Sequence, residues 1–149
     1  MVLKRFKHYL RSLKSKTFGG MTIFSKIIAG EIPSYKIAEN DEFFAFLDIF
    51  PLREGHVLVV PKNETDNLFD LPEEYLAKLL LFAQPIAKAI EKSFSCNRCG
   101  ISVVGLEVPH AHVHLIPISS ANDLNFTQPK LKLPEEKFKE IQQKIISNL

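Results

Sequence analysis

Apolar residues recur along this chain with two spacings, and each spacing marks a kind of element. Ile23, Phe24, Ile27 and Ile28 fall at i, i+1, i+4 and i+5 ahead of Gly30, which predicts a short helix over residues 23–29. Residues 34–38, 43–48 and 56–61 alternate or run apolar as strands do, and the polar turns 39–41 and 50–55 between them favour antiparallel neighbours. Leu76, Leu79, Leu80, Ala83, Ile86, Ala87 and Ile90 then keep helical spacing to about residue 93. Asp70-Leu71-Pro72-Glu73 supplies an N-cap and capping-box glutamate for that helix, and Pro85 inside it predicts a kink or split near residues 81–84. Residues 100–104 and 110–118 read as the last two strands, joined by a tight turn over 105–109. Leu133-Pro134-Glu135-Glu136 repeats the start of the long helix, and Phe138, Ile141 and Ile145 form a narrow stripe for a C-terminal helix docked on the domain or on a second subunit. The fold class is α+β, an antiparallel sheet of about five strands with one long helix and a C-terminal helix.

Composition changes this picture little. With 149 residues, 46% of them apolar, and mean hydropathy near zero, the chain is of single-domain size and reads as globular. A net charge of +2 gives no ground for a nucleic-acid or membrane partner. Residues 1–20 are basic and free of acidic side chains; they lack the apolar run of a signal or a membrane span. They read as an appended arm before a domain at residues 21–149, with a transit peptide as the alternative. Cys96 and Cys99 have no second cysteine pair with which to build a four-thiolate site, and are read as incidental thiols in a reducing cytoplasm.

Candidate chemistry concentrates in Pro109-His110-Ala111-His112-Val113-His114-Leu115-Ile116-Pro117, which holds three of the five histidines at every second position. In an extended segment His110, His112 and His114 share one face while Ala111, Val113 and Leu115 share the other. Neighbouring members stand about 6.6 Å apart along a strand, too far for all three to close on one zinc ion with bonds of about 2.0–2.1 Å. Buried imidazoles need a partner at each ring nitrogen, so such a ladder is costly as mere packing. A two-histidine metal site remains open, as does nucleophilic catalysis by His112, which has a neighbour on each side.

The sequence His110-Ala-His112-Val-His114-Leu-Ile resembles the signature of the histidine triad (HIT) nucleotide-binding proteins. Ile23-Phe24-Ser25-Lys26-Ile27-Ile28-Ala29-Gly30-Glu31-Ile32-Pro33-Ser34, Phe46-Leu47-Asp48-Ile49 and Gly55-His56-Val57-Leu58-Val59-Val60-Pro61 agree in the same order, so the resemblance spans roughly residues 22–118. It implies a HIT-like fold and a nucleobase pocket lined by Ile23, Phe24 and Ile27, with Phe46 and Ile49 beside it and Asp48 accepting from the ribose hydroxyls. It implies His112 as nucleophile, its Nδ1–H held by the backbone carbonyl of His110, with His114 and His56 on the phosphate oxygens. Relatives with a structural zinc carry Cys-x-x-Cys where this chain has Thr22 and Ser25.

The implied activity is cleavage at the α-phosphate of purine nucleoside phosphoramidates, or of dinucleoside polyphosphates, through a nucleotidyl-histidine, with no required metal or cofactor. A nucleotide-binding regulator or scaffold and a two-histidine metalloenzyme are the alternatives. The resemblance also implies a homodimer, for which Leu79, Leu80 and Ala83 are the expected apolar surface. The chain departs from the pattern in its shortened loop before the triad. Leu106 and Glu107 stand where relatives have glutamine and then serine or threonine, and Ser102 is the nearest residue to a missing asparagine. Glu107 is the candidate acid for the leaving group, since an anion beside a carboxylate favours its protonated form.

Overall fold

The computed structural model describes residues 21–149, and Lys4 ahead of them; the basic arm expected over residues 1–20 otherwise lies outside the described residues. Helix α1 (Ile23–Ile28) leads into strands β1 (Lys36–Glu39), β2 (Phe43–Leu47) and β3 (Val57–Pro61). Helix α2 (Glu73–Ser93), strands β4 (Arg98–Ser102) and β5 (Val113–Ile118) and helix α3 (Glu135–Ile146) follow. The strands form one sheet in the order β1-β2-β3-β5-β4, antiparallel throughout.

Both faces of this sheet are covered, which is why β2 and β3 are apolar at every position and fully buried. Phe43, Ala45, Leu47, Val57, Val59, Val113 and Leu115 point to one face and pack on Leu79, Ala83, Ile86 and Ile90 of α2 and Phe138, Ile141 and Ile145 of α3. Phe44, Phe46, Leu58 and Val60 point to the other and pack on Ile23, Phe24 and Ile27 of α1. The histidines lie on this second face. It is the thinner layer, covered by a helix of only six residues.

Four expectations differ from the structure. Helix α2 begins at Glu73 after Pro72, with no side-chain cap, while Asp70 belongs to a separate 3-10 turn (Leu68–Asp70) that is capped by Asn67. Pro85 neither splits nor ends α2; the carbonyl it leaves without a donor is that of Leu81, on the exposed side of the helix where water can serve it. Strand β5 begins at Val113 rather than at residue 110, because the Ala111 N–H donates to the Thr65 carbonyl at 2.6 Å instead of to a strand neighbour. Leu79 and Ala83 belong to the monomer core, whereas Leu80 and Leu81 face outward. Among the described residues no helix is long and apolar enough to cross a membrane.

Candidate active site

Register builds the site. Phe46 pairs with Leu58, Leu58 with His114 and His114 with Ser102, so these four form one row across β2, β3, β5 and β4. One step along, the Asp48 N–H donates to the His56 carbonyl at 3.0 Å, which sets Asp48 and His56 side by side on the same face. Gly55 makes the turn into His56 with φ +93, and a Cβ there would meet the Phe94 ring at 2.5 Å, so only glycine fits. His110 and His112 precede β5, yet both keep to this face: their rings meet Phe24 edge-on with centroids 5.7 and 5.1 Å away. His112 and His114 are 5.0 Å apart, ring to ring.

The hydrogen-bond partners assign the protons on all four buried imidazoles. His112 Nδ1 lies 2.7 Å from the His110 carbonyl and must donate to it, which leaves Nε2 of the neutral ring bare. His56 Nδ1 accepts from the Leu52 N–H at 3.0 Å, so its proton sits on Nε2, 2.9 Å from His114 Nδ1. His114 Nδ1 is therefore the acceptor, and its own proton sits on Nε2. Asp48 Oδ2 stands 3.5 Å from the same His56 Nε2, while Asp48 Oδ1 accepts from the Phe50 N–H at 2.8 Å. The face thus presents a bare nitrogen on His112 and an N–H donor on His114.

A second polar cluster fixes His110. Its Nε2 donates to the Pro61 carbonyl at 2.7 Å, so its Nδ1 accepts from the Thr22 hydroxyl, also at 2.7 Å. Thr22 caps α1 by accepting the Ser25 N–H, and its own N–H donates to Glu64 at 2.8 Å. The Ser25 hydroxyl and the Thr22 N–H together hold the Glu64 carboxyl below its usual range. The positions that carry cysteines in zinc-bearing relatives are thus occupied here by a hydroxyl pair in hydrogen bond with a histidine and a carboxylate.

Burial pushes His56 down to about 3, with the charges of Lys130 and His112 acting in the same sense. His114 is pushed down to about 3 as well, by burial and then by His56 and His112, against the pull of Asp48. His110 is lowered by burial, opposed by the Pro61 carbonyl and by Glu64. Burial raises Asp48 despite the Phe50 N–H. These shifts favour the neutral form of His56, His110 and His114 near pH 7.

Asp48, His56 and His114 bring one ligand atom each within 4.8 Å of one another, enough in distance to hold a cation. The tautomers oppose it: a metal on His56 Nε2 would need the proton moved to Nδ1, which already accepts the Leu52 N–H. The donor set is arranged for a hydrogen-bond relay. Neither cysteine belongs to this group; burial pushes Cys99 up to about 12 and raises Cys96 too.

Phe24, Ile27, Phe46, Asp48, Ile49 and Leu58 line one cleft, mostly apolar, with Asp48 its one charged residue. Ile23 does not line it; it belongs to the same buried apolar cluster as Phe24. Glu107 is exposed on the loop between β4 and β5, and Ser102 is adjacent to His114. Thr22, Glu64, Phe126 and Lys130 escaped the sequence reading as functional residues. Only Thr22 carried a signal, as a threonine directly before a helix; the others lie in irregular segments without periodicity.

Residues 29–121 match the model of the HIT domain. The chain is 38% identical over 135 residues to an uncharacterized HIT-like protein of Borreliella burgdorferi, covering 85% of this chain and 97% of that one. It is 40% identical over 102 residues to the adenosine 5'-monophosphoramidase HNT1 of Saccharomyces cerevisiae, covering 68% of this chain and 65% of the yeast protein. The crystal structure of a HIT-like protein involved in cell-cycle regulation from Bartonella henselae superposes with a TM-score of 0.76 at 33% identity, over 89% of this chain and 100% of that one. With the triad, the five-stranded sheet and these likenesses together, the chain belongs to the HIT family.

Proposed function

We propose that this chain is a nucleotide hydrolase that transfers a nucleoside monophosphate from purine nucleoside phosphoramidates, or from dinucleoside polyphosphates, to His112 and then to water. The observation that carries this reading is the 2.7 Å bond from His112 Nδ1 to the His110 carbonyl, which leaves Nε2 bare beside the Nε2–H donor of His114. The base enters the cleft of Phe24, Ile27, Phe46 and Ile49, with the ribose hydroxyls on Asp48. His112 Nε2 attacks the α-phosphorus, the bond to the leaving group breaks, and the leaving group takes a proton, for which Glu107 is the candidate donor. His114 donates to a non-bridging phosphate oxygen. His56 acts one step back: both of its ring nitrogens are occupied within the protein, and it holds the His114 proton on the substrate side. Water then attacks the phosphorus, releases the nucleoside monophosphate and returns His112 to its starting state. No metal enters these steps. The adenosine 5'-monophosphoramidase relative in yeast supports the amine-bearing class of substrate.

Incubation with an adenosine phosphoramidate followed by intact-mass measurement tests the reading. An acid-labile nucleotidyl adduct that is absent from His112→Ala supports it; binding without adduct or turnover favours a nucleotide-binding regulator, and loss of activity to chelators a metalloenzyme. We propose a homodimer as well. The apolar side chains available for it are Leu80 and Leu81 on α2 and Ile101 and Val103 at the β4 edge of the sheet, all exposed in the monomer. Sedimentation at micromolar concentration showing only a 17.0 kDa species would overturn the dimer.

A further inference from the structure

The family match ends at residue 121, yet the next segment returns to the site. It is anchored at both ends to the loop that carries His56. At its start Asp123 pairs with Arg53 at 2.7 Å and accepts the Ser119 and Ser120 N–H groups. At its end the Leu131 N–H donates to the Pro51 carbonyl at 2.8 Å. Between these anchors Asn125 accepts from the Thr127 N–H and hydroxyl in a tight turn. That turn sets the Phe126 ring edge-on against His114 at 4.7 Å and against His56 at 6.3 Å.

Lys130 completes the strap. Its Nζ donates to the Phe126 carbonyl at 2.5 Å and lies 5.4 Å from the centre of the Phe126 ring. Among the described residues no carboxylate lies within ion-pair distance of it, although Asp48 is close enough to feel its charge. A half-buried ammonium group is therefore held beside two neutral imidazoles without a counter-ion. Neither imidazole can serve as that counter-ion, since an imidazole is neutral or cationic. A nucleotide phosphate seated at His114 would bring the missing anion, and the ammonium would answer a charge that the triad alone does not neutralise.

We propose that Lys130, steered by Phe126, is a substrate-binding residue of this site, and that its ammonium group takes the phosphate of the bound nucleotide on the His114 side. This rests on the nucleotide reading above. The phosphate contact would come from the strap after residue 121, so the phosphate side of the site would be set by a segment outside the family domain.

Equilibrium binding of adenosine and of adenosine 5′-monophosphate to the full chain separates the possibilities, because the two ligands differ only in the phosphate. Lys130→Gln keeps a donor for the Phe126 carbonyl and removes the charge. It should weaken the monophosphate by about tenfold or more, the usual size of a lost hydrogen bond to a charged group, and leave adenosine within about twofold. Lys130→Arg should recover most of the loss, and raising the salt should weaken the monophosphate in wild type more than in Lys130→Gln. Unchanged monophosphate affinity in Lys130→Gln would overturn the proposal, as would equal loss of both ligands, which would make Lys130 a prop for the strap. Phe126→Leu, which disturbs the strap without touching the charge, should weaken the monophosphate more than adenosine if the ring aims the ammonium; equal weakening would overturn that steering role. Wild-type protein that binds neither ligand would overturn the nucleotide reading itself.

Discussion

The two ends of the triad are held by different materials. Behind His110 stand a hydroxyl, a carboxylate and a backbone carbonyl, from Thr22, Glu64 and Pro61. Behind His114 stands another imidazole, itself fixed by the Leu52 N–H. The difference follows from what each end must deliver in the proposed mechanism. His110 serves through its backbone carbonyl, so its ring is only an anchor, and groups that hold it on both nitrogens suffice. His114 must present an N–H outward, so the group behind it has to donate, and a histidine whose other nitrogen is already accepting can only donate. One end fixes a position, the other a proton.

The proposed nucleophile between the two ends should show the largest effect. His112→Ala should lower turnover by at least about 10³-fold while nucleotide binding persists, since removing a nucleophile costs more than removing any of its supports. Near wild-type turnover in single-turnover assays would falsify the assignment. On the His114 side, His56→Leu leaves His114 Nδ1 without its donor and the Leu52 N–H without its acceptor. A loss of about 10–100-fold in kcat is expected, matching about 1–3 kcal/mol for unsatisfied buried groups. A loss confined to KM would show that His56 serves binding alone.

The same end should carry the pH dependence of stability. His56 and His114 titrate near 6.5 when unfolded and at about 3 when folded. The unfolded chain therefore takes up protons first, so stability is full above pH 6.5 and falls from there toward pH 3, by up to about 1.4 kcal/mol per pH unit for each histidine. Urea denaturation at pH 7 and pH 5 should show this fall, and His56→Leu should flatten it. An equal slope in the variant would place the acid sensitivity elsewhere.

The His110 end should yield less. Thr22→Val removes the donor to His110 Nδ1 and the cap of α1 together; about 1 kcal/mol of stability and about tenfold in activity should go. Glu64→Gln keeps an acceptor for the Thr22 N–H, so its loss should stay within about threefold. A larger loss in Glu64→Gln than in Thr22→Val would mean that the charge, and not the anchor, matters at this end.

How much of this was legible beforehand depends on what kind of constraint set each residue. Strands β2 and β3 were legible as short apolar runs between polar turns, because burial on both faces leaves no polar alternation; which side chains share a face, Asp48 with Phe44 and Phe46 among them, follows from the two-residue repeat of an extended chain. The shared face of the three histidines was legible for the same reason, although only His114 lies in a strand. Leu79 and Ala83 show the limit: helical periodicity identifies an apolar stripe but not what covers it, and here the sheet does, not a second subunit. The Asp70 cap and the split at Pro85 were misjudged because local propensity competes with tertiary packing. Glu64, Phe126 and Lys130 were invisible, since they reach the site by loop closure between residues far apart in sequence, and no local pattern encodes such a meeting.

The smallest effect is expected where neither end has a hold. Glu107 lies exposed on the loop after β4, outside both supporting clusters, and makes no hydrogen bond or ion pair among the described residues. If it serves as the acid for the leaving group, it does so only once substrate brings the phosphate charge near, which favours a protonated carboxyl. The leaving group then decides the outcome. A basic amine cannot depart without a proton, whereas a polyphosphate or an acidic phenol departs unaided. Glu107→Gln should slow phosphoramidates of basic amines by about threefold to tenfold, below the usual range for general acid catalysis because the loop is open to water. Rates on dinucleoside polyphosphates and on acidic phenol esters should not change. Equal rates on both kinds of substrate would make Glu107 a turn residue and leave water as the proton source for the departing amine.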